Sequence, residues 1–409
     1  MDGGSNQAVN TMTIRRTMIL IVLAGAIGRL GYQMARSPVL PLFGHSLGAN
    51  GAYLGLIVAA STITGIAIKL PAGALSDLWG RRTLLRLGGI FFAVPPLLYV
   101  FVHSSQQLLA LRFVHGLATA IFGPVAAAVV AGLSEKDRGA RLGWVASAND
   151  LGATAGPLIG GFVLAWTASF YDVYWVVAVI GLIALVMIWT LPKGLTTRQI
   201  TATAGGPGRW ATFGRGLWEV VTSPPVLLTS AMEASLYIGY GAFLAFFPLY
   251  GRSIGLPVVA ITIILGVQLA TTLAAKPLTG SVSDRIGRKP MIIAGLILCA
   301  IVLPTTVRTQ NAILLGVLSA LFGLGVAIVT PSTTALVADL VKARSMGSAM
   351  GVFGTIWDSG EAGGPILAGA LITAIAYGNS FLIISGIMLT AMLVFLLTVH
   401  DPKPAPIPA

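Results

Sequence analysis

The chain has 409 residues, 56% of them hydrophobic and only 9% charged, with a formal net charge of +12. A soluble domain carries roughly 25% charged residues, and a chain this apolar cannot cover its own surface. Soluble enzymes, nucleic-acid binders and disordered scaffolds are therefore excluded, and the chain reads as an integral membrane protein. Its 50 glycines suit close helix–helix approach in lipid. The single cysteine, Cys299, lies in an apolar run and leaves no disulfide framework or zinc site. No metal, cofactor or enzymatic activity is expected.

A bilayer crossing takes about 20 mostly apolar residues. In chain order the first such run, 18–43, carries Arg29, Tyr32, Gln33 and Arg36 and closes on Pro38-Val-Leu-Pro41. Arg15-Arg16 ahead of it resembles the start of a signal peptide, but the run is too long and lacks a small-residue cleavage site. Runs at 51–72 and 84–102 follow. The fourth, 106–130, carries Arg112 and His115. The fifth, 141–166, carries Asp150 and the stripe Gly152, Gly156, Gly160 with Pro157, and the sixth is 172–191. The seventh, 225–250, carries Glu233, Tyr237 and Tyr240; then come 256–279, 290–306 and 312–337. The eleventh, 348–374, carries Trp357, Asp358 and Glu361, and the twelfth is 378–399.

Basic residues test the count. Alternate connections hold Arg15 and Arg16; Arg81, Arg82 and Arg86; Lys136, Arg138 and Arg141; Lys193, Arg198, Arg209 and Arg215; Arg285, Arg288 and Lys289; Lys342 and Arg344; and Lys403. The opposite connections hold only Arg252 and Arg308. The positive-inside rule then gives twelve spans in the plasma (inner) membrane with both termini cytoplasmic. The expected organisation is a terminus at 1–17, a bundle at 18–191, a linker at 192–224, a second bundle at 225–399 and a tail at 400–409. The linker is rich in Thr, Gly and Pro, with a short surface helix around Trp210, Trp218 and Glu219.

The two halves repeat at an offset of 207 residues. KLPAGALSDLWGRR at 69–82 lies over KPLTGSVSDRIGRK at 276–289, which pairs Gly73, Asp77, Gly80 and Arg81 with Gly280, Asp284, Gly287 and Arg288. Pro41, Gly116 and Pro124 match Pro248, Gly323 and Pro331. After one inserted residue, DLGATAGP at 150–157 lies over DSGEAGGP at 358–365. Repeated six-span halves with a site at the midplane are a transporter plan.

These residues resemble the major facilitator superfamily over essentially the whole chain. Its loop signature after the second span appears as Gly73-Ala-Leu-Ser-Asp77-Leu-Trp-Gly80-Arg81-Arg82, and its fourth-span pattern as Arg112-Phe-Val-His115-Gly116, with His where Gln is usual. Gly152-Ala-Thr-Ala-Gly156-Pro157-Leu-Ile-Gly160-Gly161 is similar to the antiporter signature of its twelve-span drug/proton exporters. The resemblance implies an all-α membrane fold of twelve transmembrane helices in two pseudo-symmetric six-helix bundles. It also implies that Asp77 meets the N-terminal dipole of the eleventh helix and a basic residue, a latch that Asp284 and Arg288 repeat. Gly73 and Gly80 are expected to allow close approach and unusual dihedrals, with Gly280 and Gly287 in the same places. A basic loop that merely stays inside is the plainer alternative. For the Gly152/Gly156/Gly160 stripe, a packing face kinked at Pro157 is sufficient by itself.

A charge at the helix centre costs at least ~2.5–3.5 kcal/mol unless paired or hydrated. Arg29, Gln33 and Arg36 share a helix face, as do Glu233, Tyr237 and Tyr240; Arg112 with His115 and Asp358 with Glu361 are three apart. Arg36 and Lys69 lie near span ends and read as snorkelling. Asp150 has two readings, a static partner for Arg29 or Arg112 or a proton site, and His115 reads as a satisfied packing group. Glu233, Asp358 and Glu361 have only Lys276 as a basic neighbour at depth in their half, and carboxylates in low dielectric are expected to bind protons near neutral pH. They are the candidates for proton or cation binding. Tyr32, Gln33, His115, Tyr237, Tyr240, Phe246, Phe247 and Trp357 are candidate lining. Arg29 and Arg112 against Asp150 in one half, and three acids in the other, suit a zwitterionic or amphipathic substrate, or a cavity whose halves pair across the midline when empty.

The expected function is proton-coupled export of a small organic compound by alternating access, with membrane lipid as surroundings and a monomer as the unit. An importer of a small metabolite or organic anion, anchored by Arg29 and Arg112, is the alternative. From another class, a non-transporting membrane sensor would be expected to carry a substantial soluble domain. An ATP-driven pump is disfavoured because no G-x-x-x-x-G-K-[ST] loop occurs.

Overall fold

The computed structural model describes residues 3–133, 137–192, 218, 221–342 and 345–399, without side chains for 3–13, Leu70, Ala74, Asp77 and Leu78. Lys136, Lys193, Arg198, Arg209, Arg215, Arg344 and Lys403 fall outside the described residues. So does most of the 192–224 linker. Of the short helix expected there, only Trp218 is described, helical and exposed.

Among the described residues the secondary structure is helical throughout. In chain order the helices are α1 (Gly3–Met34), α2 (Val39–Ser46), α3 (Gly51–Trp79), α4 (Arg81–Leu98), a 3-10 turn Tyr99–Phe101, α5 (Ser105–Gly132), α6 (Arg138–Thr167) and α7 (Phe170–Trp189). After the linker come α8 (Pro224–Ser253), α9 (Val258–Ile286), α10 (Arg288–Thr306), α11 (Ala312–Leu340) and α12 (Met346–Thr398). Ten helical stretches are long and apolar enough to cross a membrane, the first running through α1 and α2 as Ile14–Ser46. α12 holds two crossings, because Ile375 and Ala376 leave helical dihedrals and Ala376 takes φ 62°. α6 is also 30 residues long, but Arg138, Arg141 and Asp150 make its first half too polar to count among the ten. The twelve transmembrane helices are thus present.

Local chemistry sets several ends. Ser104 and Gln107 form a capping box at the start of α5. The Asn311 side chain accepts from the amides of Ile313 (3.0 Å) and Leu314 (3.1 Å) at the start of α11. Gly80 and Gly287, at φ 86° and 111°, take dihedrals that a side chain resists, and break α3 from α4 and α9 from α10. The turn is made there alone. Gly73 and Gly280 were expected to share in it, yet both sit inside helices that run on to Trp79 and Ile286. A Cβ at Gly73 would meet nothing, and one at Gly280 only Pro331 at 3.8 Å.

The chain folds as two compact units, Met1–Phe43 with Ala60–Ala204, and Gly44–Ala59 with Gly205–Ala409. In the first, α6 lies against α1 with no room for side chains between them. A Cβ at Gly152, Gly156 or Gly160 would run into the backbone of Ala26, Leu30 or Met34. In the second, Gly360 and Gly364 of α12 press on the backbone of Ala234 and Ile238 in α8. Ala26 and Leu30 stand 208 residues before Ala234 and Ile238, within one residue of the 207 that relates Pro41 to Pro248, and Gly152 and Gly156 stand 208 before Gly360 and Gly364. The repeat therefore extends from sequence to packing. Gly55, in the short segment that joins the second unit, meets the Pro365 backbone of α12 in the same way.

Candidate functional site

Each unit holds its own buried polar cluster. In the first, α5 carries Arg112 and His115 three residues apart, both fully buried. Arg112 Nη2 donates to Ser61 Oγ of α3 at 2.6 Å. The approach is possible because Gly116, one turn along α5, has no side chain to hold the Ser61 backbone off. The Tyr32 ring of α1 is near two guanidiniums, with Arg112 Cζ 5.7 Å and Arg29 Cζ 5.9 Å from its centroid. His115 meets the Tyr32 ring edge-on at 5.0 Å, and its Nδ1 is 3.3 Å from Tyr99 Oη. Tyr99 in turn stacks on Tyr174 of α7 at 3.9 Å and 5°.

Among the described residues, the charge of Arg112 is met by the Ser61 hydroxyl and the Tyr32 ring. Its Nε and Nη1, His115 Nε2, Tyr174 Oη and Gln33 Oε1 are buried with no hydrogen-bond partner. The described acids of this unit, Asp137, Asp150 and Asp172, are all exposed. Asp150 lies two residues from the buried Gly152, about 200° around the helix, so it points away from α1. Arg36 donates to Thr62 Oγ1 at 3.3 Å.

In the second unit Glu233 of α8 is fully buried. Thr333 of α11 donates to its Oε2 at 2.7 Å. Glu233 Oε1 and Thr330 Oγ1 are buried and make no hydrogen bond. Lys276 of α9 is the cation whose charge reaches the carboxylate. One turn on, Tyr237 contacts Tyr240 (5.2 Å) and Trp357 of α12 (4.9 Å), and Glu361 exerts its charge on Tyr237. Trp357, Asp358 and Glu361 are half-buried, and Phe246 and Phe247 are fully enclosed. Glu233, Tyr237, Tyr240 and Trp357 thus form one surface of acid and aromatic rings. Ordered by cost, an ionised carboxylate in this setting is the least favourable element unless a cation or a proton accompanies it.

At the loop ends, Arg288 pairs with Asp284 and reaches Asp339 of α11 at 3.4 Å. Lys289 Nζ donates to the carbonyls of Leu396 (2.8 Å) and Val399 at the end of α12. Arg81 Nη1 donates to the Ala128 carbonyl at 3.0 Å. The Asp77 side chain lies outside the described atoms.

Sequence reasoning did not single out Ser61, Tyr99, Tyr174, Thr333, Thr330 or Asp339. A signal existed for the threonines, which sit in the polar run Thr330-Pro-Ser-Thr-Thr334 within an otherwise apolar span. Ser61 and Tyr99 gave none, since only three-dimensional packing brings them to α5.

Residues 21–270 and 234–409 match the model of the Major Facilitator Superfamily. An uncharacterized MFS-type transporter of Methanocaldococcus jannaschii is 24% identical over 351 residues, 84% of this chain and 88% of that protein. The quinolone resistance protein NorA of Staphylococcus aureus is 27% identical over 217 residues, so the match spans about half of each, 52% of this chain and 53% of NorA. Two solved structures share the fold. The nucleoside transporter NupG superposes with a TM-score of 0.76 at 13% identity, covering 92% of this chain and 99% of its own. A bacterial homolog of the human lysosomal transporter Spinster, inward-facing and occupied, gives 0.77 at 15% identity, covering 93% and 95%.

Proposed function

Because the chain belongs to the major facilitator superfamily, whose members carry small molecules across membranes, we propose that it exports a small lipophilic or amphipathic organic compound in exchange for protons, by alternating access. The observation that carries this reading is the complete burial of Glu233 beside Tyr237, with one carboxylate oxygen held by Thr333 and the other unbonded. Burying that charge uncompensated is costly. A proton or a cationic group of the substrate each removes the cost, so the two compete for one site. Competition of this kind is the thermodynamic core of an antiporter: substrate leaves when the carboxylate takes a proton, and returns when the proton is released inside. Tyr237, Tyr240 and Trp357 supply ring faces for an aromatic or cationic substrate. The likeness to NorA, a quinolone resistance protein, and the Gly152–Gly161 pattern support the outward direction.

In this reading Asp358 and Glu361 add negative charge on the α12 side. The Asp284–Arg288 pair and the turns at Gly80 and Gly287 would act in switching. Both termini are placed in the cytoplasm, and protons are the coupling ion. Purified protein titrated with a permanently charged aromatic cation at two pH values tests the reading. Binding weakens as pH falls if the site is shared, and is flat if it is not.

A second reading, uptake of an organic anion, is favoured by one observation. Arg112 is fully buried with two nitrogens unbonded, and the described acids of its unit are exposed. Arg112 and Arg29 would then be the substrate anchors, and an anionic probe, not a cationic one, would be the ligand that stabilises the protein.

A further inference from the structure

We propose that Gln268 and Ser319 form a second station for organic cations in the second unit, one that holds a protonated amine or a guanidinium by its N–H groups. Gln268 of α9 and Ser319 of α11 are fully buried, and Gln268 Oε1 and Ser319 Oγ make no hydrogen bond. Both atoms are acceptors, and leaving such atoms unmet at membrane depth is costly. The amide orientation of Gln268 is set by its neighbour. Thr272 has one hydroxyl hydrogen, and its Oγ1 lies 3.0 Å from the Gln268 carbonyl and 2.9 Å from the Gly323 carbonyl, so that hydrogen is spent on the backbone. Thr272 Oγ1 therefore accepts from Gln268 Nε2, at 3.1 Å, and Oε1 is the open end of the amide. Ser319 differs from other hydroxyls of its own helix. Ser332 and Thr334 each donate to the carbonyl four residues back at 2.7 Å, and Ser319 does not.

The internal repeat points to what the pair accepts. Gln268, Ser319 and Gly323 stand 207 residues after Ser61, Arg112 and Gly116. Gly323 brings α11 onto the Gln268 backbone as Gly116 brings α5 onto that of Ser61. In the first unit the Arg112 guanidinium donates to Ser61 Oγ at 2.6 Å, with the Tyr32 ring 5.7 Å away. The second unit has an acceptor at the place of Ser61, and an uncharged serine at the place of the guanidinium. It also has rings at hand: Phe322, next to Gly323, lies 6.5 Å from Tyr240 and 5.1 Å from Phe243. A ligand's ammonium or guanidinium brings the charge-assisted donor that Arg112 provides in the first unit. Tyr240 also contacts Tyr237 at 5.2 Å, so the rings run on toward Glu233. Ser319 precedes Thr333, the partner of Glu233, by fourteen residues of α11, about 20 Å. On the positive-inside orientation it lies on the outer side, where a cation leaving Glu233 arrives next. The inference rests on the reading of the chain as a carrier of organic cations.

Calorimetric titration of the purified full chain with phenylbutylammonium and with its N-trimethyl analogue tests it. The two probes share ring and charge, and only the first has N–H donors. Gln268→Leu and Ser319→Ala should each lower the affinity for the ammonium probe by roughly tenfold and leave that for the trimethyl probe unchanged. Ser319→Ala removes a single oxygen, and it decides alone if Gln268→Leu does not fold. Equal losses for both probes, which a merely structural role would give, or no loss for either, would overturn the proposal. Failure of the carboxylate reading looks different. Glu233→Gln would then bind the trimethyl probe as the wild type does, while Ser319→Ala still told the two probes apart.

Discussion

Thr333 donates its hydroxyl hydrogen to Glu233 Oε2 at 2.7 Å, a bond between helices α11 and α8 that are 100 residues apart in the chain. Both residues are fully buried. Replacing Thr333 with Val removes a donor to a buried charge while keeping the shape, at a cost of about 1–3 kcal/mol. We expect a lower melting temperature and altered pH dependence of ligand binding, with Thr333→Ser restoring both. A Val variant that matches the wild type in both measurements would show the bond to be incidental.

The pH dependence has a definite sign. With Glu233 ionised, the site attracts a cation; with it protonated, the attraction is gone. Affinity for a permanently charged aromatic cation should therefore rise with pH and fall as the carboxylate takes up its proton. In Glu233→Gln the affinity should be low at every pH and flat across the range, by isothermal titration.

Helix contact through glycine backbones gives a paired test of packing. A Cβ at Gly364 would collide with the Ile238 carbonyl, whereas one at Gly363, the adjacent residue, would meet nothing within 4 Å. Gly364→Ala should destabilise the protein by about 1–3 kcal/mol through overpacking, and Gly363→Ala should leave thermal unfolding unchanged. Gly156→Ala in α6, against the Leu30 carbonyl, should behave as Gly364→Ala does.

Arg288 with Asp284 and Asp339 is a surface group, and the two acids are 62% and 46% exposed. Exposed pairs contribute about 0–1 kcal/mol, so Asp284→Asn should barely change the melting temperature. If the pair acts in switching, the same variant slows transport in reconstituted vesicles. Unchanged transport would leave it a topological feature only.

Much of this was legible in the sequence because lipid imposes strict rules. Apolar runs of crossing length, basic residues on alternate connections and the 207-residue repeat fixed the twelve helices, including the break near Ile375 inside α12. Glu233, Arg112 and Tyr32 stood out because charge and ring at membrane depth are costly or rare. Their partners did not. Thr333, Ser61, Tyr99 and Tyr174 come from other helices, and no local pattern connects them. Asp150, which its type alone left open as a static partner for arginine or a proton site, is exposed on α6. Gly73 was expected in the turn because a motif groups it with Gly80, while only Gly80 takes a positive φ.

The central claim, that Glu233 couples export to protons, is tested most directly in proteoliposomes with an acidic lumen. The account predicts that a permanently charged aromatic dye accumulates inside against its gradient as protons leave, that a protonophore abolishes this, and that Glu233→Gln abolishes it while folding normally. Accumulation that survives the protonophore or the Gln variant, or dye movement in the same direction as the protons, would contradict it.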